Sequence, residues 1–202
     1  MKIGVLGGTF DPIHKGHLLL GEVAYNNFGL DEIWFLPNGA PPHKSLYHND
    51  DIYLQHRLEM IKLVIKGIQY FKLDLHEAKV HEKSYTYETM RAFRERHPDY
   101  EFYFILGADS LFELEKWMCF KEIFPSCVIL AAIRDDKGLD KITNQAKYLT
   151  KKYDAKIETL KAPLQEISST EIRARIRDKL SVDSMVHKDV VKYIKDNSLY
   201  LG

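Results

Sequence analysis

The sequence predicts an α/β domain: a parallel β-sheet with helices on both faces and C-terminal helices packed against it. Three observations carry this expectation. Apolar runs of strand length recur along the chain, among them IGVL at 3–6, EIWFL at 32–36, EFYFIL at 101–106 and CVILAA at 127–132. Stretches of helical period lie between them, as expected of strands joined by helical crossovers. The 202 residues, 45% hydrophobic and 29% charged, suffice for one medium domain with a real core.

In chain order, residues 3–6 read as a buried strand and 17–28 as a helix with Leu18, Leu19, Val23 and Ala24 on one side. The second strand, 32–36, is closed by Pro37-Asn38-Gly39. After a polar loop with prolines, Leu54, Leu58, Ile61 and Ile65 recur at helical spacing. A strand near 70–75 follows, then a helix from about 85 to 96 stopped by His97-Pro98. The strands at 101–106 and 127–132 flank a helical segment, 108–124, that carries Trp117. A charged helix near 138–152 precedes a short strand at 156–159. The last quarter reads as helical, with Ile172, Ile176, Val190, Val191 and Ile194 as its apolar positions. The whole of 1–202 reads as one Rossmann-like domain whose C-terminal helical part begins at about 168. Such sheets bind ligands beyond the carboxyl ends of their strands.

Composition excludes several classes. Lys plus Arg and Asp plus Glu each number 29, so the basic surplus of a nucleic-acid-binding protein is missing, while a local positive patch for a small anion stays compatible. The longest apolar runs, such as VILAAI at 128–133, are of strand length and do not span a bilayer. The apolar start MKIGVLGG is short and soon meets Asp11, unlike a secretory signal. Cys119 and Cys127 have neither metal-ligand nor disulfide-framework spacing and read as buried thiols of a cytoplasmic protein.

One segment stands apart, GGTFDPIHKGH at 7–17. Gly7 and Gly8 follow the first strand, where a missing Cβ lets backbone N–H groups approach a ligand, and a helix N-terminus after such a turn favours an anion. Alone, two glycines are no more than a tight strand-to-helix turn. His14 and His17 stand at i and i+3 on one face of a helix start, so both imidazoles reach the same anion, and Gly16 leaves room for it. A zinc site needs further ligands, and the pair lacks His-Glu-x-x-His spacing. A dinucleotide fold needs Gly-x-Gly-x-x-Gly and an acid about twenty residues further on. Gly4, Gly7, Gly8 and Gly16 do not fit, and the second strand ends in Leu36-Pro37-Asn38. The expectation is phosphate recognition.

GGTFDPIHKGH resembles the signature of the His-x-Gly-His nucleotidyltransferase superfamily, which joins a nucleoside triphosphate to a phosphorylated partner. EISSTEIRARIR at 166–177 adds to the resemblance. Ser168 and Glu171 have capping-box spacing, so a helix should start there, with the hydroxyls of Ser169 and Thr170 exposed at its positive end and Arg173 one turn in. On its own this is a capped helix with solvated arginines. From Ile167 to Arg173 it is similar to the Ile-Ser-Ser-Thr-x-Ile-Arg motif of the same superfamily, which implies that the β- and γ-phosphates of ATP are held there. Two anion-binding helix starts, about 150 residues apart, suit one polyphosphate clamped from both sides.

Between them, Pro41-Pro42-His43-Lys44, His56-Arg57, Ser84-Tyr85-Thr86, Gly107-Ala108-Asp109-Ser110 and Trp117 occur in the order of the bacterial nicotinate-nucleotide adenylyltransferases. With both ends, the resemblance covers nearly the whole chain. It implies transfer of the adenylyl group of ATP to nicotinate mononucleotide, giving nicotinate adenine dinucleotide and pyrophosphate in NAD biosynthesis. His14 and His17 are then the catalytic residues, at the α-phosphate. ATP contacts fall on Gly7, Gly8, Thr9, Phe10, Gly16, Gly107, Asp109, Ile167, Ser169, Thr170 and Arg173. Nicotinate mononucleotide contacts fall on Lys44, Tyr85, Thr86 and Trp117. Trp117 offers a π-face to a pyridine ring, the helix start at Tyr85-Thr86 offers N–H groups to a carboxylate, Asp109 an acceptor to a ribose, and Lys44 a cation to phosphates. Each has a plainer reading: a core Trp, two helix caps and a surface lysine. Arg57 is expected to be exposed on its amphipathic helix. Mg²⁺ is expected to ride on the triphosphate with no protein metal site. The partners are small molecules, without nucleic acid or membrane, and a homo-oligomer is left open.

Two departures from the family pattern stand out. Arg134-Asp135-Asp136 replaces Arg-Pro-Gly, which weakens any role for Arg134, and His81-Glu82-Lys83 precedes Ser84 where a glycine is usual. Both imply local loop differences. The competing readings are another enzyme of the superfamily, acting on nicotinamide mononucleotide or phosphopantetheine, and a nucleotide-binding regulator without turnover.

Overall fold

In the computed structural model, residues 1–39, 50–79, 84–133, 139–163 and 167–201 are described. The elements in order are β1 (Lys2–Gly8), α1 (Lys15–Phe28), β2 (Glu32–Pro37), α2 (Asp50–Ile65), β3 (Phe71–Leu73), α3 (Thr86–Arg96), β4 (Glu101–Gly107), α4 (Ala108–Glu113), β5 (Val128–Ile133), α5 (Leu139–Tyr153), β6 (Ile157–Lys161), α6 (Ser169–Arg177) and α7 (Lys188–Asp196). The six strands form one sheet in the order β3-β2-β1-β4-β5-β6, every neighbouring pair parallel.

Alternation along the central strands explains the two helical layers. Ile3 and Val5 of β1, Phe102 and Phe104 of β4, and Ile129 and Ala131 of β5 join one apolar cluster with Met90 and Phe93 of α3, Leu111 of α4 and Leu149 of α5. Their neighbours Leu6, Tyr103, Ile105 and Leu130 join the other, with Ala24 of α1, Ile61 of α2, Ile172 of α6 and Ile194 of α7. The period of two in a strand sends successive side chains to opposite faces, and a central parallel strand buries both. The C-terminal helices therefore share a core with the first strand.

Chain order places the site. From β1 the sheet grows outward through β2 and β3, then the chain crosses to β4 on the other flank of β1. The connections after β1 and β4 leave in opposite directions, and the crevice this opens at their carboxyl ends is where such sheets bind ligands.

Some boundaries differ from the sequence expectation. β1 runs on through both glycines, pairing Gly8 with Pro37. The left-handed residue of the turn is Phe10, with φ 50, not a glycine. α1 starts at Lys15 with His14 as N-cap, two residues before the expected start. Of the segment 108–124, only Ala108–Glu113 is α-helix; Leu114–Lys116 and Phe120–Glu122 are 3₁₀ turns. Cys119 between them has φ 47, and a left-handed residue cannot continue a right-handed helix.

Candidate active site

A cavity of about 810 Å³ opens at the switch point, within the range of nucleotide-sized pockets. One part is lined by Gly7 and Gly8 at the end of β1, His14, Gly16 and His17 at the start of α1, Gly107 at the end of β4, Ser110 of α4, and Ile167, Ser168 and Ser169 at the start of α6. The rings of His14 and His17 stack with centroids 3.6 Å apart and planes 26° apart. The backbone N–H of His14 donates to Nδ1 of His17 at 3.2 Å. That bond uses the Nδ1 lone pair, so the neutral ring carries its proton on Nε2.

Phe10 backs this pair. It is 1% exposed and meets His17 edge-on at 4.9 Å, so its side chain belongs to the core and not to the cavity wall. The glycines divide the work of making room. A Cβ on Gly16 would lie 3.1 Å from Cε1 and Nδ1 of His14, and one on Gly8 would lie 3.1 Å from the Phe10 ring. The space beside Gly16, expected to serve a ligand, is taken on that side by the His14 ring. A Cβ on Gly7 would meet only the Phe104 ring at 3.6 Å, and one on Gly107 nothing within 4 Å.

The second signature segment lies against the first. Ser168 caps α6, its Oγ accepting from the N–H of Glu171 at 3.1 Å. The Ser169 hydroxyl donates to the Pro12 carbonyl at 3.0 Å. Arg173 donates to the Asp11 carbonyl at 2.6 Å, to Asp11 Oδ2 at 3.4 Å and to Thr170 Oγ1 at 3.2 Å. The expectation of two exposed hydroxyls needs correction here. Only Thr170 is exposed, and both hydroxyls are engaged by protein groups that tie α6 to the signature loop. What the α6 start retains for a phosphate is its N–H groups, the Arg173 charge and the Thr170 O–H.

Asp11 is the centre of this tie. It is 1% exposed, and Oδ1 accepts from the hydroxyls of Tyr53 at 2.7 Å and Tyr200 at 2.8 Å. Burial, then the Asp11 charge, push the Tyr200 hydroxyl pKa far above its ordinary value. Arg57 also departs from expectation. It is 2% exposed and donates to the carbonyls of Thr9 at 2.7 Å, Asn38 at 2.8 Å and Gly39 at 3.0 Å. These carbonyls follow β1 and β2, so a guanidinium replaces the ladder partners those loops lack.

The far part of the cavity is lined by Glu77, Ser84, Tyr85, Thr86, Trp117 and Met118. Tyr85 is the N-cap of α3, and among the described residues no side chain caps this helix, so its first N–H groups have no intrahelical acceptor. Trp117 is half-buried, edge-on to Phe104 at 6.3 Å, neither a core residue nor a solvated one. Asp109 is exposed, and the N-cap of α4 is Gly107; Ser110 lines the cavity instead. Thr9 lies just behind the wall, its Oγ1 3.4 Å from Nδ2 of the lining residue Asn38. Lys44 and both departures from the family pattern lie outside the described residues. The sequence reading missed Glu77, Asn38, Ser110 and the Asp11 partners Tyr53 and Tyr200. Ser110 ends the recognised Gly107-Ala108-Asp109-Ser110 segment and Asn38 lies in the strand-closing Pro37-Asn38-Gly39, whereas Glu77, Tyr53 and Tyr200 sit in no motif.

A Rossmann-like sheet with a stacked histidine pair facing a Ser-Ser-Thr helix across its switch point is the framework of a nucleotidyltransferase. The cytidylyltransferase-like family profile matches residues 5–175, and the chain belongs to that family. Within it, the chain belongs with the nicotinate-nucleotide adenylyltransferases. It is 41% identical over 200 residues, 99% of each chain, to a Lachnoclostridium phytofermentans protein named "Probable nicotinate-nucleotide adenylyltransferase". It is 37% identical over 206 residues, 98% of each chain, to the nicotinate-nucleotide adenylyltransferase of Bacillus subtilis. Plasmodium falciparum nicotinic acid mononucleotide adenylyltransferase, solved as its complex with NaAD, matches with a TM-score of 0.79 over 98% of this chain and 97% of that one, at 23% identity. That last likeness is one of fold. No helix among the described residues is long and apolar enough to cross a membrane.

Proposed function

We propose that this protein, acting in the cytoplasm, transfers the adenylyl group of ATP to nicotinate mononucleotide, giving nicotinate adenine dinucleotide and pyrophosphate. One observation carries the reading: a single cavity joins the His14–His17 pair to the α3 start and Trp117. Relatives 37% and 41% identical over almost the whole chain bear the name of this activity.

A phosphate oxygen of the mononucleotide bonds to the α-phosphorus of ATP in line with the departing group. The bond from that phosphorus to the oxygen shared with the β-phosphate breaks, and its electron pair leaves with pyrophosphate. The attacking phosphate is already an anion, so no side-chain nucleophile is required. Catalysis rests on alignment, worth about 7–11 kcal/mol, and on donors placed where charge develops, each worth roughly 10²–10³ in kcat. His17, through Nε2–H, and His14 serve the α-phosphate. Gly7 keeps the cavity wall low beside the triphosphate, while Gly8 and Gly16 line it and leave room for the Phe10 and His14 rings, with Thr9 and Phe10 behind them. Ser169 through its backbone N–H, Thr170 and Arg173 receive the pyrophosphate, with Gly107 and Ile167 toward the adenosine and Asp109, exposed beside the lining residue Ser110, as the ribose acceptor. Tyr85 and Thr86 take the nicotinate carboxylate on backbone N–H groups, Trp117 stacks on the pyridine, and Lys44 reaches a phosphate. Mg²⁺ enters as part of the ATP substrate; no group of three or more His, Cys, Asp or Glu that could hold an ion occurs among the described residues.

The test is pyrophosphate release with ATP and Mg²⁺ and, in parallel, nicotinate mononucleotide, nicotinamide mononucleotide or phosphopantetheine. The acid mononucleotide should be the best substrate, and His17→Ala should lower its kcat at least ~100-fold with the fold intact. Turnover with phosphopantetheine alone overturns the substrate, and ATP binding without turnover on any acceptor overturns the enzyme.

A further inference from the structure

The wall of the cavity nearest α3 contains an acid that this chemistry does not use. Glu77 lies beyond β3 and lines the cavity, its Oε1 accepting from the Thr89 hydroxyl at 2.8 Å. Thr89 is 2% exposed, and its backbone N–H donates to the Tyr85 carbonyl at 3.1 Å. A bonded path therefore runs from the Glu77 carboxyl through Thr89 to the N-cap of α3. A helix start without a capping side chain is held only by what packs on it from the side.

We propose that Glu77 is a positioning residue for the nicotinate mononucleotide end of the site, fixing through Thr89 the N–H groups at the start of α3 that receive the substrate carboxylate. The proposal rests on the reading that this carboxylate is bound at Tyr85–Thr86. Two observations agree with it. Burial pushes the Glu77 carboxyl pKa upward, against the pull of the Thr89 hydrogen bond, so this acid opposes an incoming carboxylate less than a surface acid would. One residue before the N-cap, the Ser84 Oγ is buried with no hydrogen-bond partner among the described residues, in the same wall. Buried polar atoms of this kind are commonly satisfied by a ligand or by ordered water.

Steady-state kinetics with each substrate varied in turn test the assignment. Glu77→Gln keeps an oxygen acceptor for Thr89 and should leave both KM values within about twofold. Glu77→Ala removes it and should raise KM for nicotinate mononucleotide ~10-fold, with kcat and KM for ATP changed less than about threefold. Thr89→Val removes the donor at equal volume and should reproduce that split, and the double variant should add nothing further. Glu77→Gln behaving like Glu77→Ala, equal effects on both substrates, or an unchanged KM in Glu77→Ala and Thr89→Val overturns the positioning role. A wild-type protein inactive on nicotinate mononucleotide overturns instead the reading beneath it.

Discussion

Gly16→Ala should set stability and catalysis against each other. Gly16 lies in the first turn of α1, and its φ is outside the left-handed region, so alanine accepts the backbone. In a helix, alanine is favoured over glycine by up to about 1 kcal/mol, which in a chain of this size raises Tm by roughly 2–4 °C. Against this, the new Cβ lands 3.1 Å from Cε1 and Nδ1 of His14. Ordinary contacts begin at ~3.5 Å, so the ring must retreat by a few tenths of an ångström. It has little room, being 8% exposed and stacked at 3.6 Å on His17, so the displacement passes to both imidazoles. A 1 Å misplacement costs on the order of 10²-fold, and a few tenths of that imply a ~3–5-fold fall in kcat. Pyrophosphate release at saturating substrates and thermal unfolding of the same preparation read the two effects. Turnover within twofold of wild type, with Tm unchanged or raised, would show that the alignment of the pair is not what Gly16 protects.

Arg57→Met strips charged donors from three backbone carbonyls; at about 1 kcal/mol each or more, Tm should fall by at least ~6 °C, and a fall under 2 °C in thermal unfolding would deny Arg57 its bracing role. Trp117→Ala should raise KM for the mononucleotide ~5–100-fold, the range of ring stacking on a base, and leave KM for ATP nearly unchanged; equal effects on both would make Trp117 structural. Burial pushes the Cys127 thiol up to about 12, so at neutral pH it holds almost no thiolate, whereas Cys119 is exposed. A thiol reagent should then modify one cysteine quickly and the second only on unfolding, and two fast thiols would contradict the burial of Cys127.

The fold was legible because its strands carry the signal locally. EFYFIL and CVILAA are apolar throughout, as strands buried on both faces must be, and the helical runs between them leave few topologies open. The site was legible in the same way at its ends, where GGTFDPIHKGH and ISSTEIR each concentrate chemistry in a dozen residues or fewer. What was not legible depends on partners distant in sequence. Arg57 looks like any surface arginine until the loops after β1 and β2 present it with three carbonyls. Glu77 sits in an ordinary polar turn, and its meaning comes from a threonine twelve residues on. The helix expected over 108–124 breaks at Cys119, whose left-handed backbone no residue preference announces. The Ser169 hydroxyl, expected to be exposed like that of Thr170, turns to the Pro12 carbonyl, because a capping pattern does not reveal what the helix start will be packed against.

The Asp11 tie has a consequence for a chain that is made from one end to the other. The residues holding its carboxylate arrive far apart in time: Arg173 is added 162 positions after Asp11, and Tyr200 a further stretch on, at 189. On the ribosome, the histidine segment is among the first parts to emerge, yet the guanidinium and the phenol that steady the loop beneath it are still to be translated. Until then, burying that carboxylate is unfavourable, so the nascent chain keeps the loop open to water. Synthesis itself thus acts as a timer: a partial chain carries the signature without the late partners that hold its buried carboxylate.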